Sequence, residues 1–187
     1  MFRVLTATLF AASAAVAAAQ SNMGMPEKLT AFAVDMSNTA PRVNTTPVDI
    51  TINRWSTDAE RDKLRETLAK GQDALLSALE KLPVVGYINT PGSLRYDLHF
   101  ARQRPLAEGG QMMILATPRY MSTWEVMNQP RSTQYPFTVI QLQVDREGKG
   151  VGKASIATRI TQQDDGTIEL ENFSSEPVRL NDVHRVK

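Results

Sequence analysis

The sequence predicts an α+β fold in which a curved, mostly antiparallel sheet is covered by one helix or a helical hairpin. Past the N-terminal segment, one stretch has a helical period, and most of the remainder alternates apolar with polar residues between Gly-rich and Asp-rich turns. Because the strands are short and linked by hairpins, we expect a meander or a partial barrel. Helices do not alternate with strands, which argues against a parallel doubly wound fold.

Residues 1–19 have the organisation of a signal peptide. Arg3 gives a positive start, an uncharged apolar run follows, and Ala17-Ala18-Ala19 supplies small residues before a cleavage site. The run is shorter and richer in alanine than a membrane anchor, which needs about 20 strongly apolar residues. The sequence therefore predicts cleavage before Gln20 and an exported protein, periplasmic or secreted, with no integral membrane segment.

Composition excludes several classes of protein. The chain of 187 residues contains no cysteine, which rules out disulfides and thiolate chemistry. It has 21 Lys and Arg against 20 Asp and Glu, and removal of Arg3 with the signal peptide balances the two. A neutral chain has no general attraction for nucleic acid. After a flexible leader at residues 20–28, we expect a single α+β domain over residues 29–187.

The chain begins with two predicted strands. Residues 29–36 form the first, and residues 48–55 form the second, in which apolar and polar side chains alternate strictly. The segment between them, residues 37–46, is rich in Ser, Asn, Thr and Pro and is predicted to be a loop. Strict alternation indicates one buried and one solvated face.

One helical segment follows. Thr57 and Glu60 have the spacing of a capping box, and Pro83 ends the segment. Gly71 lies on the apolar face and either allows close packing of one continuous helix or separates two short helices, an alternative that Lys70 favours. The leucines that define the apolar face are Leu64, Leu68, Leu75, Leu79 and Leu82.

The rest of the chain is predicted to be β structure. An irregular connection at residues 118–133 interrupts it, and glycine turns separate the other segments. The predicted strands are 84–88, 94–104, 111–117, 137–145, 151–161, 167–173 and 178–186. Alternation places Tyr96, Leu98 and Phe100 on one face, Ala154, Ile156, Thr158 and Ile160 on one face, and Ile168 and Leu170 inward.

The irregular connection carries the most informative group of large side chains, Tyr120, Met121, Trp124 and Met127. Ordered loops with such residues often line pockets or interaction surfaces. We expect these four to bind a small apolar ligand or a partner protein. The alternative is that they plug the open end of the sheet and extend its core.

Asp97 and His99 form the weak catalytic candidate. A carboxylate two residues from an imidazole on one strand face could orient it as a base. A hydrolase would also need a nucleophile, and since the chain has no G-x-S-x-G motif, Ser93 or Ser122 would have to be brought in by the fold. The alternative is two polar residues on a solvated face.

No metal or cofactor is expected. The only histidines are His99 and His184, and neither an H-x-x-x-H motif nor an EF-hand loop is present. Asp164-Asp165-Gly166 has the composition of a hairpin turn. The G-x-G-x-G pattern at residues 148–152 lies between two predicted strands, so it fails the context of a dinucleotide site.

Several phrases together resemble a group of exported bacterial proteins of unknown function. The resemblance covers the chain from about residue 29 onward and implies export, bacterial origin and a single domain, without an activity or a cofactor. The phrases are Ile52-Asn53-Arg54-Trp55-Ser56-Thr57-Asp58-Ala59-Glu60-Arg61, Val85-Gly86-Tyr87-Ile88, Trp124-Glu125, Tyr135-Pro136-Phe137-Thr138, Glu169-Leu170-Glu171-Asn172 and Pro177-Val178-Arg179-Leu180.

The leading hypothesis is an exported non-enzymatic module that binds a small apolar ligand or a protein of the cell envelope. The curved-sheet pattern and the stretch from Tyr120 to Met127 favour it. One alternative is a hydrolase that uses Asp97 and His99. Another is a structural or assembly protein of the envelope that pairs with a partner through a strand edge.

Overall fold

The computed structural model describes residues 26–35, 44–92, 95–121, 123–173 and 176–186. In this part of the chain, three short helices and a 3-10 turn accompany ten strands. The helices are α1 (Asp58–Leu68), α2 (Gln72–Glu80) and α3 (Thr123–Asn128), and the 3-10 turn is Pro130–Gln134. The strands are β1 (Glu27–Asp35), β2 (Asn44–Ile52), β3 (Gly86–Asn89), β4 (Tyr96–Leu98), β5 (Phe100–Pro105), β6 (Gln111–Pro118), β7 (Phe137–Val144), β8 (Lys149–Gln162), β9 (Ile168–Asn172) and β10 (Val178–Val186).

The strands form one antiparallel sheet in the order β4-β3-β2-β1-β10-β8-β7-β6-β5, and β9 pairs with β8 beyond this path. The first and last strands of this order, β4 and β5, are consecutive along the chain, so the sheet must curl to bring its two ends together. Only His99 separates them, and its backbone N–H donates to the Ala116 carbonyl of β6 at 3.1 Å. The predicted α+β class with a curved antiparallel sheet is therefore confirmed.

An inner core occupies the concave side of the sheet. Its buried side chains come from strands along the whole sheet, so they meet only because the sheet curls. The largest of them, each at most 2% exposed, are Leu29, Ile50, Ile52, Leu98, Met113, Leu115, Leu142 and Leu180.

A second apolar cluster lies between the sheet and the helical hairpin, by which we mean α1 and α2. On β6, Met113 and Leu115 face the inner core, whereas Ala116 belongs to the second cluster. On β7, Leu142 faces inward and Val139 faces the hairpin. Both strands thus carry apolar residues on both faces, as expected for strands that are covered on both sides.

The start of the helical hairpin agrees with the sequence prediction. Thr57 is the N-cap of α1, and its hydroxyl accepts from the Glu60 N–H while the Glu60 carboxylate accepts from the Thr57 N–H, which completes the capping box. Gly71 has a φ of +100° and separates α1 from α2. Since L-residues with a side chain rarely adopt such a φ, glycine is what allows the break. The two-helix alternative is correct.

The strand predicted at residues 94–104 is wrong in one respect, because it breaks at His99. Leu98 and Ala101 are both buried in the inner core, whereas Phe100 packs against the second cluster. The predicted shared face of Tyr96, Leu98 and Phe100 is therefore not formed. The break occurs where the segment changes partner from β3 to β6.

The face assignment for β8 is also wrong. Ala157 has a φ of +56°, and the register with β7 shifts at this point. Such a bulge reverses the alternation of side chains. Ile156 is therefore exposed, although Ala154 and Thr158 are buried. On β9, Ile168 is also largely exposed.

Several boundaries differ from the predictions. β2 begins at Asn44, inside the predicted loop, and ends at Ile52. β1 begins at Glu27, which the prediction assigned to the leader. The connection predicted to be irregular contains α3 and the 3-10 turn.

The predicted signal peptide lies outside the described residues. Among the residues described, no helix has both the length and the apolar character needed to cross a membrane.

Candidate ligand-binding groove

An open apolar groove of about 530 Å³ lies between the helical hairpin and strands β5 to β9. Its volume falls in the range of small-molecule sites. Leucines of α1 and α2 form one wall, and the outward faces of β6 and β7 form the floor. The apolar residues that define wall and floor are Leu64, Leu68, Leu75, Leu79, Ile114, Ala116, Phe137 and Val139.

Two sequence periods create this groove. On the hairpin, Leu64 and Leu68 are four residues apart and so lie on one side of α1. On β6, Ile114 and Ala116 are two residues apart and so share one face of the sheet. The hairpin does not close completely over the sheet, and the space left between these rows of side chains is the groove.

Along the strand direction, the floor is polar at one end and apolar at the other, as the pairing register shows. Arg102 of β5, Ile114 of β6 and Gln141 of β7 lie in one row of directly paired residues. Two residues further along, Phe100, Ala116 and Val139 form the next row lining the groove. The groove therefore has one end with polar and charged groups and one apolar end.

Four arginines line the groove, two from α1 and two from β5. Arg61 pairs with Asp58 at 3.0 Å and with Asp62 at 2.8 Å. Arg102 pairs with the same Asp58 at 3.0 Å. Asp58 thus forms ion pairs that connect the first turn of α1 to β5.

Arg65 and Arg104 differ from these two. Within the described ranges, neither has an acidic side chain within ion-pair distance. Arg104 instead donates to the Met112 thioether sulfur at 3.3–3.4 Å, which is a weak acceptor. The groove therefore carries two guanidinium charges at its solvent-exposed rim that no carboxylate of the described segments neutralises.

The residues predicted to bind a ligand or a partner lie outside the groove. Tyr120, Trp124 and Met127 are 75%, 65% and 76% exposed, and Met121 is partly buried. None of the four lines the groove. Because three of them face solvent, they do not plug the sheet or extend its core.

Their segment is held in place by Arg119. Its guanidinium pairs with Glu125 of α3 at 2.7 Å and donates to the Ser132 carbonyl at 3.0 Å. The hydrogen bond from Arg119 lowers the pKa of Glu125. α3 and the 3-10 turn are thus fixed against the end of β6, with the aromatic side chains presented outward. We call the exposed side chains Tyr120, Trp124 and Met127 the α3 surface.

Asp97 and His99 are not joined to each other. The Asp97 carboxylate lies 3.2 Å from Arg95, and His99 Nδ1 donates to the Leu82 carbonyl at 2.9 Å. His99 thereby ties the end of the helical hairpin to the junction of β4 and β5. Ser93 and Ser122, the serines considered as nucleophiles, lie outside the described residues.

Within the described ranges, no group of three or more His, Asp or Glu side chains is close enough to hold a metal ion. Comparison of the chain with protein-family models, with curated proteins and with solved structures found no match. The groove and the α3 surface are therefore interpreted from their own chemistry.

The sequence contained a signal for the groove that alternation alone does not reveal. Residues 112–116 are continuously apolar, which is typical of a strand covered on both faces. Together with the leucine face of the hairpin, this run indicates a second apolar layer. Arg102 and Arg104 on one face of the neighbouring strand mark its polar end.

Proposed function

We propose that the protein is an exported, non-enzymatic module that binds a small apolar ligand in the groove between the helical hairpin and the sheet. The observation that carries the proposal is the groove itself, an apolar space of about 530 Å³ that the side chains of the described residues leave unfilled. Burial of an apolar ligand there would be favourable by the hydrophobic effect. The signal-peptide pattern at residues 1–19 is the reason for proposing export.

The chemistry of the lining supports binding over catalysis. The described residues that line the groove are Leu, Ile, Val, Ala, Met, Phe, Gln and Arg. These side chains include no ordinary nucleophile and no group that exchanges a proton near neutral pH. They supply an apolar surface and hydrogen-bond donors, which are what a binding site needs.

A matched pair of isoleucines tests the location. Ile168 lines the groove and is 45% exposed, whereas Ile156 is 48% exposed and does not line it. The experiment titrates the neutral fluorescent probe N-phenyl-1-naphthylamine into the wild type, Ile168→Gln and Ile156→Gln. We expect saturable binding that Ile168→Gln weakens and Ile156→Gln leaves unchanged. Absence of saturable binding, or equal effects of the two substitutions, would contradict the proposal.

Native mass spectrometry of protein purified gently from its own host would identify a natural ligand. A reproducible additional mass of small-molecule size, lost in Ile168→Gln and kept in Ile156→Gln, is the expected result. An additional mass that survives Ile168→Gln would place the ligand at another site.

The α3 surface favours a second candidate function, docking of an envelope protein. Three large side chains exposed together on a fixed segment are typical of an interaction surface. Chemical crosslinking in the envelope, followed by recovery of the protein, tests this with Trp124→Ala and the control Val151→Ala, whose exposed side chain lies on β8. A stoichiometric partner lost only in Trp124→Ala would support docking. Its persistence in that variant would place the interface elsewhere.

A further inference from the structure

We infer that the ligand of the groove is a single-chain aliphatic carboxylate, a fatty acid, whose head group lies at the Arg104 end and whose chain runs along Ile114 toward Phe100 and Ile160. The inference rests on the proposed function, because it assumes that the groove binds a ligand. It adds the chemical class of that ligand and its orientation.

The charge of the groove specifies the head group. Among the described residues, the carboxylates within 4.0 Å of its four arginines are those of Asp58 and Asp62, and both are already paired with Arg61 or Arg102. Arg104 has no acidic partner in the described part of the chain and makes only the weak contact with the Met112 sulfur. An anion at this position would gain charge-assisted hydrogen bonds, and a guanidinium is well suited to a carboxylate. A cationic ligand would be repelled.

The polarity gradient specifies the tail. Met112 and Arg104 are directly paired at the polar end, and Ala116 lies four residues further along the same face of β6. Four residues of strand span about 14 Å. Beyond Ala116, the partly exposed side chains of Ile160 and Leu170 continue the apolar lining of the groove. An extended hydrocarbon chain matches a long apolar floor that begins beside a cation.

The size of the groove favours one chain. A volume of about 530 Å³ suits a single small ligand. The helical hairpin bounds the groove on one side and limits the room for a second chain. A two-chain lipid would therefore leave much of its apolar surface in water. A free fatty acid places its carboxylate at the rim and its one chain on the floor.

The test compares two ligands that differ only in their head groups, dodecanoate and dodecan-1-ol, both below the concentrations at which they aggregate. Each displaces N-phenyl-1-naphthylamine from the wild type, from Arg104→Gln and from Arg179→Gln, the last an exposed arginine of β10 that does not line the groove. We expect dodecanoate to bind about tenfold more tightly than dodecan-1-ol. Arg104→Gln should remove most of that difference, and Arg179→Gln should not.

The outcomes separate this inference from the proposed function. Equal affinities of the two ligands, or equal effects of Arg104→Gln and Arg179→Gln, would overturn the carboxylate head group and leave the apolar site standing. Failure of both ligands to displace the probe would overturn both. Arg104→Lys, which keeps the charge, should retain part of the preference for dodecanoate. That preference should also fall at high salt, since the rim is exposed.

Discussion

The side-chain amide of Gln72 forms two hydrogen bonds with the backbone of Ile160. Its Nε2 donates to the Ile160 carbonyl at 2.5 Å, and its Oε1 accepts from the Ile160 N–H at 3.0 Å. The first residue of α2 therefore occupies the place that a neighbouring strand residue would take beside β8. Because Ile160 also lines the groove, this pair fixes the hairpin above the apolar end of the site.

Gln72→Ala should lower the free energy of unfolding by about 1–3 kcal/mol, because it leaves two partly buried backbone groups of Ile160 without partners. Urea unfolding measures the change. Gln143→Ala, at an exposed position of β7, is the control and should change stability by less than about 0.5 kcal/mol. Equal midpoints for the two variants would show that the Gln72 hydrogen bonds contribute nothing net.

Glu60 makes stability depend on pH. Two hydrogen bonds from Arg54, at 2.8 and 3.0 Å, lower the pKa of the Glu60 carboxyl, and the bond from the Thr57 N–H lowers it further against the effect of burial. A lowered folded-state pKa means that the stabilisation is complete above the unfolded-state pKa. It is then lost as the pH falls through the lower, folded-state pKa.

Glu60→Gln should therefore cost about 1 kcal/mol at neutral pH, since the ion pair is partly exposed. The difference from the wild type should shrink as the pH falls below about 4. Urea unfolding at a series of pH values measures both. A difference that stays constant from neutral to acidic pH would mean that the charge of Glu60 has no part in stability.

Trp124→Ala should change the free energy of unfolding by less than about 0.5 kcal/mol, because 65% of the side chain is already in solvent. Phe137→Ala is the contrasting aromatic truncation, since Phe137 is fully buried in the second cluster, and should cost about 3–5 kcal/mol. Thermal and urea unfolding compare them. A large loss with Trp124→Ala would show that the α3 surface supports the fold.

Leu79→Ala should cost about 2–5 kcal/mol, because Leu79 is buried and the space it leaves is not refilled. Leu79 also lines the groove, so its truncation should enlarge the site and change the affinity for N-phenyl-1-naphthylamine. Leu76→Ala is the control within α2. Leu76 is only partly buried and does not line the groove, so its truncation should cost less and leave the affinity unchanged.

Local signals in the sequence were sufficient where the structure depends on local interactions. The capping box of Thr57 and Glu60 and the break at Gly71 each involve residues close along the chain. Local signals were not sufficient where strands that are distant along the chain determine the geometry. The break at His99 reflects a change of neighbour from β3 to β6, and the bulge at Ala157 reflects the pairing with β7. Neither partner can be identified from nearby residues.

The groove was missed for the same reason. It exists because the helical hairpin does not pack completely against the sheet, and this depends on packing between segments that are distant along the chain. Tyr120 and Trp124 are large and lie between strands, which is why the sequence predicts a binding surface there. Position between strands does not by itself distinguish an exposed surface from a pocket.

The pairing of β1 with β10 has a consequence for how the sheet is completed. Lys28 lies opposite Val186, so a strand near the start of the chain has its second neighbour near the end. Until Val178–Val186 has been synthesised, β1 can pair only with β2. Closure therefore requires contacts of very high sequence separation, which form slowly. A chain that lacks Val178–Val186 would leave β1 paired on one side only.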